Sequence, residues 1–233
     1  MREGNAIIVL QARMGSRRLP GKAVERIGGR TILGRCLERL VSGHSGRVVL
    51  ATTINREDDR LEDEARAHGV ETVRGPVNDV LGRFVLVASV TGPRFIVRAT
   101  ADNPAVDVDA PGRLVEAIAA SGADYVSEVG LPYGAAAEVM TSEALHRADR
   151  LATSPADREH VTACIKREGS DFASVELPAP HVVRRPDVRL TIDTAADLRF
   201  MTAVLTHAER RCAEASLAQI IDSADFVRRR EAA

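Results

Sequence analysis

The chain lacks an excess of charge of either sign: 32 basic residues stand against 33 acidic ones, a formal net charge of −1. That balance argues against general nucleic-acid binding, which draws on surplus positive charge to follow a phosphate backbone. Long hydrophobic runs are missing too. The first apolar run, Ala6-Ile7-Ile8-Val9-Leu10, is too short for a bilayer span or a signal-peptide core. Cysteine is scarce: Cys36, Cys164 and Cys212 are far apart and odd in number. They offer neither metal-ligand spacing nor a disulfide framework, so a reducing cytoplasm is the expected location. Lysine is nearly absent, with Lys22 and Lys166 the only two among the 32 basic residues. What remains is the composition of a soluble globular protein, 45% hydrophobic and 28% charged. Its 233 residues suit one domain over 1–233, with at most a small appendage.

Strand and helix signals alternate through the first half. After the strand at Ala6–Leu10, the spacing of Ile32, Leu33, Cys36, Leu37 and Leu40 predicts a helix over Thr31–Val41. Gly43 and Gly46 punctuate a turn before a second strand, Val48–Thr52. A charged helix over Asn55–His68 ends at Gly69, followed by a strand at Val70–Val73 and a helix over Asp79–Ser89. Phe95–Ala99 reads as a fourth strand and Pro111–Ser121 as a helix closed by Gly122. Repeated β-α units of this kind predict an α/β fold, a parallel sheet with helices on both faces. In the second half, Asp124–Val126 and Val188–Ile192 read as strands. Thr141–Ala152, Ala195–His207 and Ser216–Arg230 read as helices. The stretch 154–188, broken by Pro178, Pro180 and Pro186, is expected to leave the main sheet.

The most informative stretch follows the first strand: Gln11-Ala12-Arg13-Met14-Gly15-Ser16-Arg17-Arg18-Leu19-Pro20-Gly21-Lys22. Glycines let a backbone approach a ligand, free N–H groups can point inward, and guanidiniums clamp oxygens in pairs. A strand that empties into such a loop is suited to hold polyanionic phosphate, since ligands of open α/β sheets sit beyond the strands' carboxyl ends. Arg13, Arg18 and Lys22 are the candidate phosphate ligands. A lysine kept here, in a chain that otherwise uses arginine, suggests work for a compact ammonium point charge. The spacing is neither that of a Walker loop nor the dinucleotide Gly-x-Gly-x-x-Gly.

This run resembles the signature of the sugar cytidylyltransferases, in particular the spore-coat polysaccharide cytidylyltransferase family, whose cousins are the CMP-Kdo and CMP-sialic acid synthetases. The resemblance implies a GT-A-like, Rossmann-type nucleotidyltransferase fold. It further implies Mg²⁺ as cofactor, CTP as donor, a sugar or sugar-like acceptor, release of pyrophosphate and a homodimer. It assigns Gln11, Ala12, Arg13, Ser16, Arg18 and Lys22 to the nucleotide, with Gly15 allowing close approach; Arg17 stands where relatives commonly carry threonine. Arg13 and Lys22 take a catalytic part.

Four further elements share the resemblance. Arg98-Ala99-Thr100-Ala101-Asp102-Asn103-Pro104 ends a predicted strand, and Asp102 there is either a turn residue or a Mg²⁺ ligand. The family's Thr-Ala-Asp-Cys-Pro element implies the metal, and Asn103 departs from that pattern. Leu190-Thr191-Ile192-Asp193 is the second strand end. Thr194 and Asp197 suggest a capping box, and the resemblance makes Asp193 the second metal carboxylate. Asp79 and Arg83, four apart, are either a surface ion pair or, by resemblance, neighbours of the base, with Phe84 in the core. The run Asp157-Arg158-Glu159-His160-Val161-Thr162 resembles the family's Arg-Glu-His-Val-Thr. This sets His160 near the sugar or the dimer contact, and the 154–188 stretch becomes a dimerisation or lid segment. Glu138 resembles an acidic residue near the acceptor. Other readings remain: transfer to a phosphonate or polyol phosphate, a GT-A glycosyltransferase, or a non-catalytic nucleotide-binding subunit.

Overall fold

The structure is a computed structural model that describes residues 5–16, 18–43 and 46–232. Arg17, within the phosphate-like loop, lies outside the described residues. The chain runs through β1 (Ala6–Gln11), a short hairpin of β2 (Arg26–Ile27) and β3 (Arg30–Thr31), and α1 (Ile32–Ser42). Next come β4 (Arg47–Thr53), α2 (Asp59–Ala67), β5 (Glu71–Gly75), α3 (Val80–Thr91), β6 (Phe95–Thr100) and α4 (Ala110–Ser121). The second half holds β7 (Tyr125–Val129), β8 (Glu138–Thr141), α5 (Ser142–Leu151), α6 (Pro155–Glu159) and α7 (Ala163–Lys166). It closes with β9 (Ser174–Pro178), α8 (Ala195–Arg211) and α9 (Leu217–Glu231).

Seven strands form the main sheet in the order β5-β4-β1-β6-β8-β7-β9. The pairs β4/β5, β1/β4, β1/β6 and β7/β9 are parallel, and β8 alone runs antiparallel to its neighbours β6 and β7. β1 is central and buried on both faces. Ile8 and Leu10 join a core with α1, α2 and α4, while Ile7 and Val9 join one with α3, α5 and α7. A third core packs α8 and α9 over Ile27, Val188, Leu190 and Ile192. Phe84 lies in the α3 core with no exposure, as expected. No helix among the described residues is long and apolar enough to cross a membrane.

Two expectations change. Residues 154–188 leave the main sheet only in part, because Ser174–Pro178 returns as its edge strand beside β7. Val188–Ile192 forms no strand. Its backbone bonds Tyr133 on one side and the carbonyl of Asp102 on the other, and only an isolated bridge, Tyr133–Arg189, is ladder-like. The alternation of Val188, Leu190 and Ile192 correctly marks a buried face, yet the partners are loops. Gly134 makes this approach close: at φ 94°, a Cβ there would lie 2.7 Å from the Thr191 backbone nitrogen.

Candidate active site

A cavity of about 850 Å³ opens at the carboxyl ends of β1 and β6. One wall is the loop that leaves β1. Asp58, wholly buried, holds it: its Oδ1 accepts from the Met14 amide at 2.8 Å, and its Oδ2 from Thr52, Thr53 and the Thr53 amide. The loop closes on itself where the Gly21 amide donates to the Met14 carbonyl at 3.0 Å, and Gly21 sits at φ 72°. That left-handed residue turns the chain so that Lys22 opens the next helical turn facing the sheet's end.

Lys22 is the centre of the charge cluster. Its Nζ donates to Asp102 Oδ2 at 2.8 Å, to the Ile192 carbonyl at 2.8 Å and to Asp193 Oδ1 at 3.3 Å. Asp102 follows β6, and Asp193 is delivered by the extended segment that docks on Asp102. Asp193 is nearly buried and also accepts from Arg18 at 2.8 Å and from Arg189 at 2.7 Å. The capping box of Thr194 and Asp197 exists as expected, and Asp197 also accepts from the Asp193 amide at 3.0 Å. Burial pushes the Asp197 carboxyl up, but Arg189 and Thr194 outweigh it and hold the group at about 2. Cap and cavity residue are thus adjacent, and Asp193 itself faces the cavity.

The facing wall comes from α3 and α6. Arg13 donates to Glu159 at 2.6 Å and to the Val77 carbonyl at 3.3 Å. α6 is pinned by its own Ser154–Asp157 capping box and by Arg158, which reaches Asp149 at 2.5 Å and Asp79 at 3.4 Å. Arg83 is 2% exposed, donates to the carbonyls of Pro76 and Val77, and keeps a buried Nε without a partner. Burial, and then the nearby Arg13 charge, lower its pKa. The surface ion pair between Asp79 and Arg83 is therefore not formed. Asp79 caps α3 through the Gly82 amide at 2.7 Å, and Arg83 points into the wall.

Of the expected residues, Gln11, Ala12, Arg13, Ser16, Arg18, Lys22, Arg83, Asp102, His160 and Asp193 line the cavity together. Gly15, Asp79 and Glu138 do not line it. Glu138 instead accepts from Arg98 at 2.7 Å, from Tyr125 at 2.7 Å and from Lys166. Burial raises its pKa, but Arg98 and Lys166 dominate and hold it at about 2. Asp58, Arg98, Glu159 and Arg189 support or line the site and lie outside the expected set. Glu159 had a signal, standing beside His160 in the Arg-Glu-His-Val-Thr-like run; Asp58 stands in a run of acidic residues where nothing local marks it.

Asp102 and Asp193 are the groups that could hold a divalent cation, since one ammonium already bridges them. Among the described residues there is no cluster of three or more metal-ligating side chains. Two carboxylates fit Mg²⁺, which usually takes one or two protein carboxylates and completes its shell with water and substrate phosphates.

Comparisons with known proteins identify the family and the fold. The cytidylyltransferase family profile matches residues 6–219. The spore coat polysaccharide biosynthesis protein SpsF of Bacillus subtilis is 33% identical over 211 residues, covering 88% of each chain. A cytidylyltransferase structure from Leptospira borgpetersenii superposes with a TM-score of 0.86 at 28% identity, covering 95% of this chain and 94% of that one. A CMP:2-keto-3-deoxy-manno-octonic acid synthetase complexed with CTP shares the fold, with a TM-score of 0.66 at 18% identity over 87% of this chain and 99% of its own. The chain is a nucleotidyltransferase and belongs to the cytidylyltransferase family.

Proposed function

We propose that the protein transfers CMP from CTP to a sugar or sugar-like acceptor, with release of pyrophosphate and dependence on Mg²⁺. The observation that carries this reading is the cavity's internal charge pairing. Lys22 rests on Asp102 and Asp193, Arg18 on Asp193, and Arg13 on Glu159. A triphosphate offers these three cations a stronger anion, and the carboxylates so released need a cation of their own. Asp102 and Asp193 would hold Mg²⁺, which when bound supplies charge neutralisation on phosphate oxygens.

In the reaction, an acceptor oxygen attacks the α-phosphorus, and the bond from that phosphorus to the bridging oxygen of the β-phosphate breaks. Negative charge gathers on the departing pyrophosphate. Lys22, Arg13 and Arg18 are positioned to take up that charge, and transfers of this kind need alignment and electrostatic stabilisation more than covalent help. The curated relative's name, spore coat polysaccharide biosynthesis, supports a sugar acceptor, and the structural neighbour bound to CTP supports the nucleotide.

The test is pyrophosphate release with each of the four nucleoside triphosphates against a panel of acidic sugars, polyol phosphates and phosphonates. CTP with a sugar is expected to turn over fastest. Asp102→Ala is expected to lower that rate by about 10²-fold or more while the melting temperature stays unchanged. Retention of most activity in this variant would overturn the metal assignment.

A further inference from the structure

A partly buried polar network stands beside the cavity wall, outside the cluster of Lys22, Asp102 and Asp193. Gln11, the last residue of β1, lines the cavity. Arg98 lies on the neighbouring strand opposite Val9, so it shares a face of the sheet with Gln11. Its Nε donates to Gln11 Oε1 at 3.3 Å, and its NH1 donates to Glu138 Oε2 at 2.7 Å. Glu138 is opposite Arg98 on β8 and is held in turn by Tyr125, Lys166 and Thr162. The guanidinium is thereby fixed from behind.

The chemistry of that contact decides how the Gln11 amide is turned. An arginine has donors only, so the amide atom that faces Arg98 must be the carbonyl oxygen. The opposite orientation would set two N–H groups against each other. The remaining atom, Nε2, donates to no group among the described residues and is not sealed from solvent. Gln11 therefore turns its carbonyl oxygen to Arg98 and leaves its amide donors for the cavity.

We propose that Arg98, anchored by Glu138, is a positioning residue that locks Gln11 as a donor, and that Gln11 thereby selects a ligand atom that accepts. The ligand class is a nucleobase edge carrying an unprotonated ring nitrogen or a carbonyl oxygen. The inference rests on the nucleotide reading above and deepens it. It assigns to Glu138 a role exerted through Arg98 and Gln11, without contact to the ligand. The second lysine of the chain, Lys166, takes part as one of the groups that hold Glu138.

The experiment is a double-mutant cycle on nucleotide affinity, measured by titration calorimetry with Mg²⁺ present. The nucleotide is whichever of CTP, UTP, ATP and GTP binds the wild type most tightly. Gln11→Met and Arg98→Lys are each expected to weaken binding about 3- to 10-fold, the range of one hydrogen bond. In the Gln11→Met background, Arg98→Lys should cost nothing further, because its effect passes through the amide. The lysine variant keeps a cation on Glu138, and an unchanged melting temperature verifies the fold. Gln11→Glu, which reverses hydrogen-bond polarity at the same size, should weaken binding more than Gln11→Met does. Additive losses in the cycle, or a Gln11→Glu variant that binds as well as wild type, would overturn the proposal. Preferred binding of another nucleotide with an intact cycle would overturn the CTP assignment and leave this inference standing. No nucleotide binding by the wild type would overturn both.

Discussion

Among the places where this molecule sets one cation on two carboxylates, the Arg113 and Lys22 clusters differ in what the cation is. Beside β7, Arg113 of α4 grips Glu128 with a fork, Nε to Oε1 at 2.9 Å and NH2 to Oε2 at 3.0 Å, and holds Asp107 at 2.6 Å. Both carboxylates are nearly buried, and none of the three residues lines the cavity. In the cavity, Lys22 contacts Asp102 and Asp193 through a single ammonium. A guanidinium fork matches a carboxylate in two bonds at fixed geometry, so it commits to its partner. An ammonium is a rotating point charge that can pass from a carboxylate to a phosphate without a change of angle. The comparison supplies a physical reason for a lysine here, in a chain that otherwise uses arginine for nearly every cation.

The structural cluster should fail by losing stability. Arg113→Met leaves Asp107 and Glu128 buried without a cation, and about 3–5 kcal/mol of unfolding free energy should disappear in urea titrations. Activity per folded molecule should stay close to wild type. A loss below about 1 kcal/mol would mean that the two clusters do not differ as described. The cavity cluster should fail the other way. Lys22→Arg keeps the charge and substitutes the fork, and pyrophosphate release is expected to fall by about 10²-fold with the melting temperature unchanged. A fully active Lys22→Arg enzyme would erase the distinction between fork and point charge. The smallest effect sharpens the same contrast. Lys22→Met removes the cation that competes for Asp102 and Asp193, so nucleotide-free protein should bind Mn²⁺ about 3- to 10-fold more tightly, read by paramagnetic resonance. Unchanged or weaker Mn²⁺ binding would show that the ammonium does not hold that locus.

Legibility in the sequence followed the range of the interactions. The Gln11–Lys22 loop could be read because a strand, its glycines and its cations are contiguous, and Asp102 because it follows closely on the fourth recognisable strand. The Thr194–Asp197 capping box was equally local. Val188–Ile192 misled for a physical reason: alternation reports which side chains are buried, and a loop that docks between two other loops buries the same face as a strand. β9 is hard to read locally because it is an edge strand with alternate residues exposed, ending at Pro178 with Pro180 close behind. Arg83 carried no local sign of burial, since spacing places it on a helix face without saying which face meets the sheet.

The sequence by itself determined that this chain forms an α/β fold and that its first strand empties into a loop rich in glycine and cations, because strand period, glycine placement and cation density are properties of neighbouring residues; the nucleotidyltransferase family came from the resemblance of that loop. Only the tertiary structure decided the pairings. Lys22 meets Asp102 across 80 positions and Asp193 across 171, and Arg13 meets Glu159 across 146. Such contacts depend on how the sheet orders its strands and how a loop docks beside them, and Coulomb attraction acts on that distance in space.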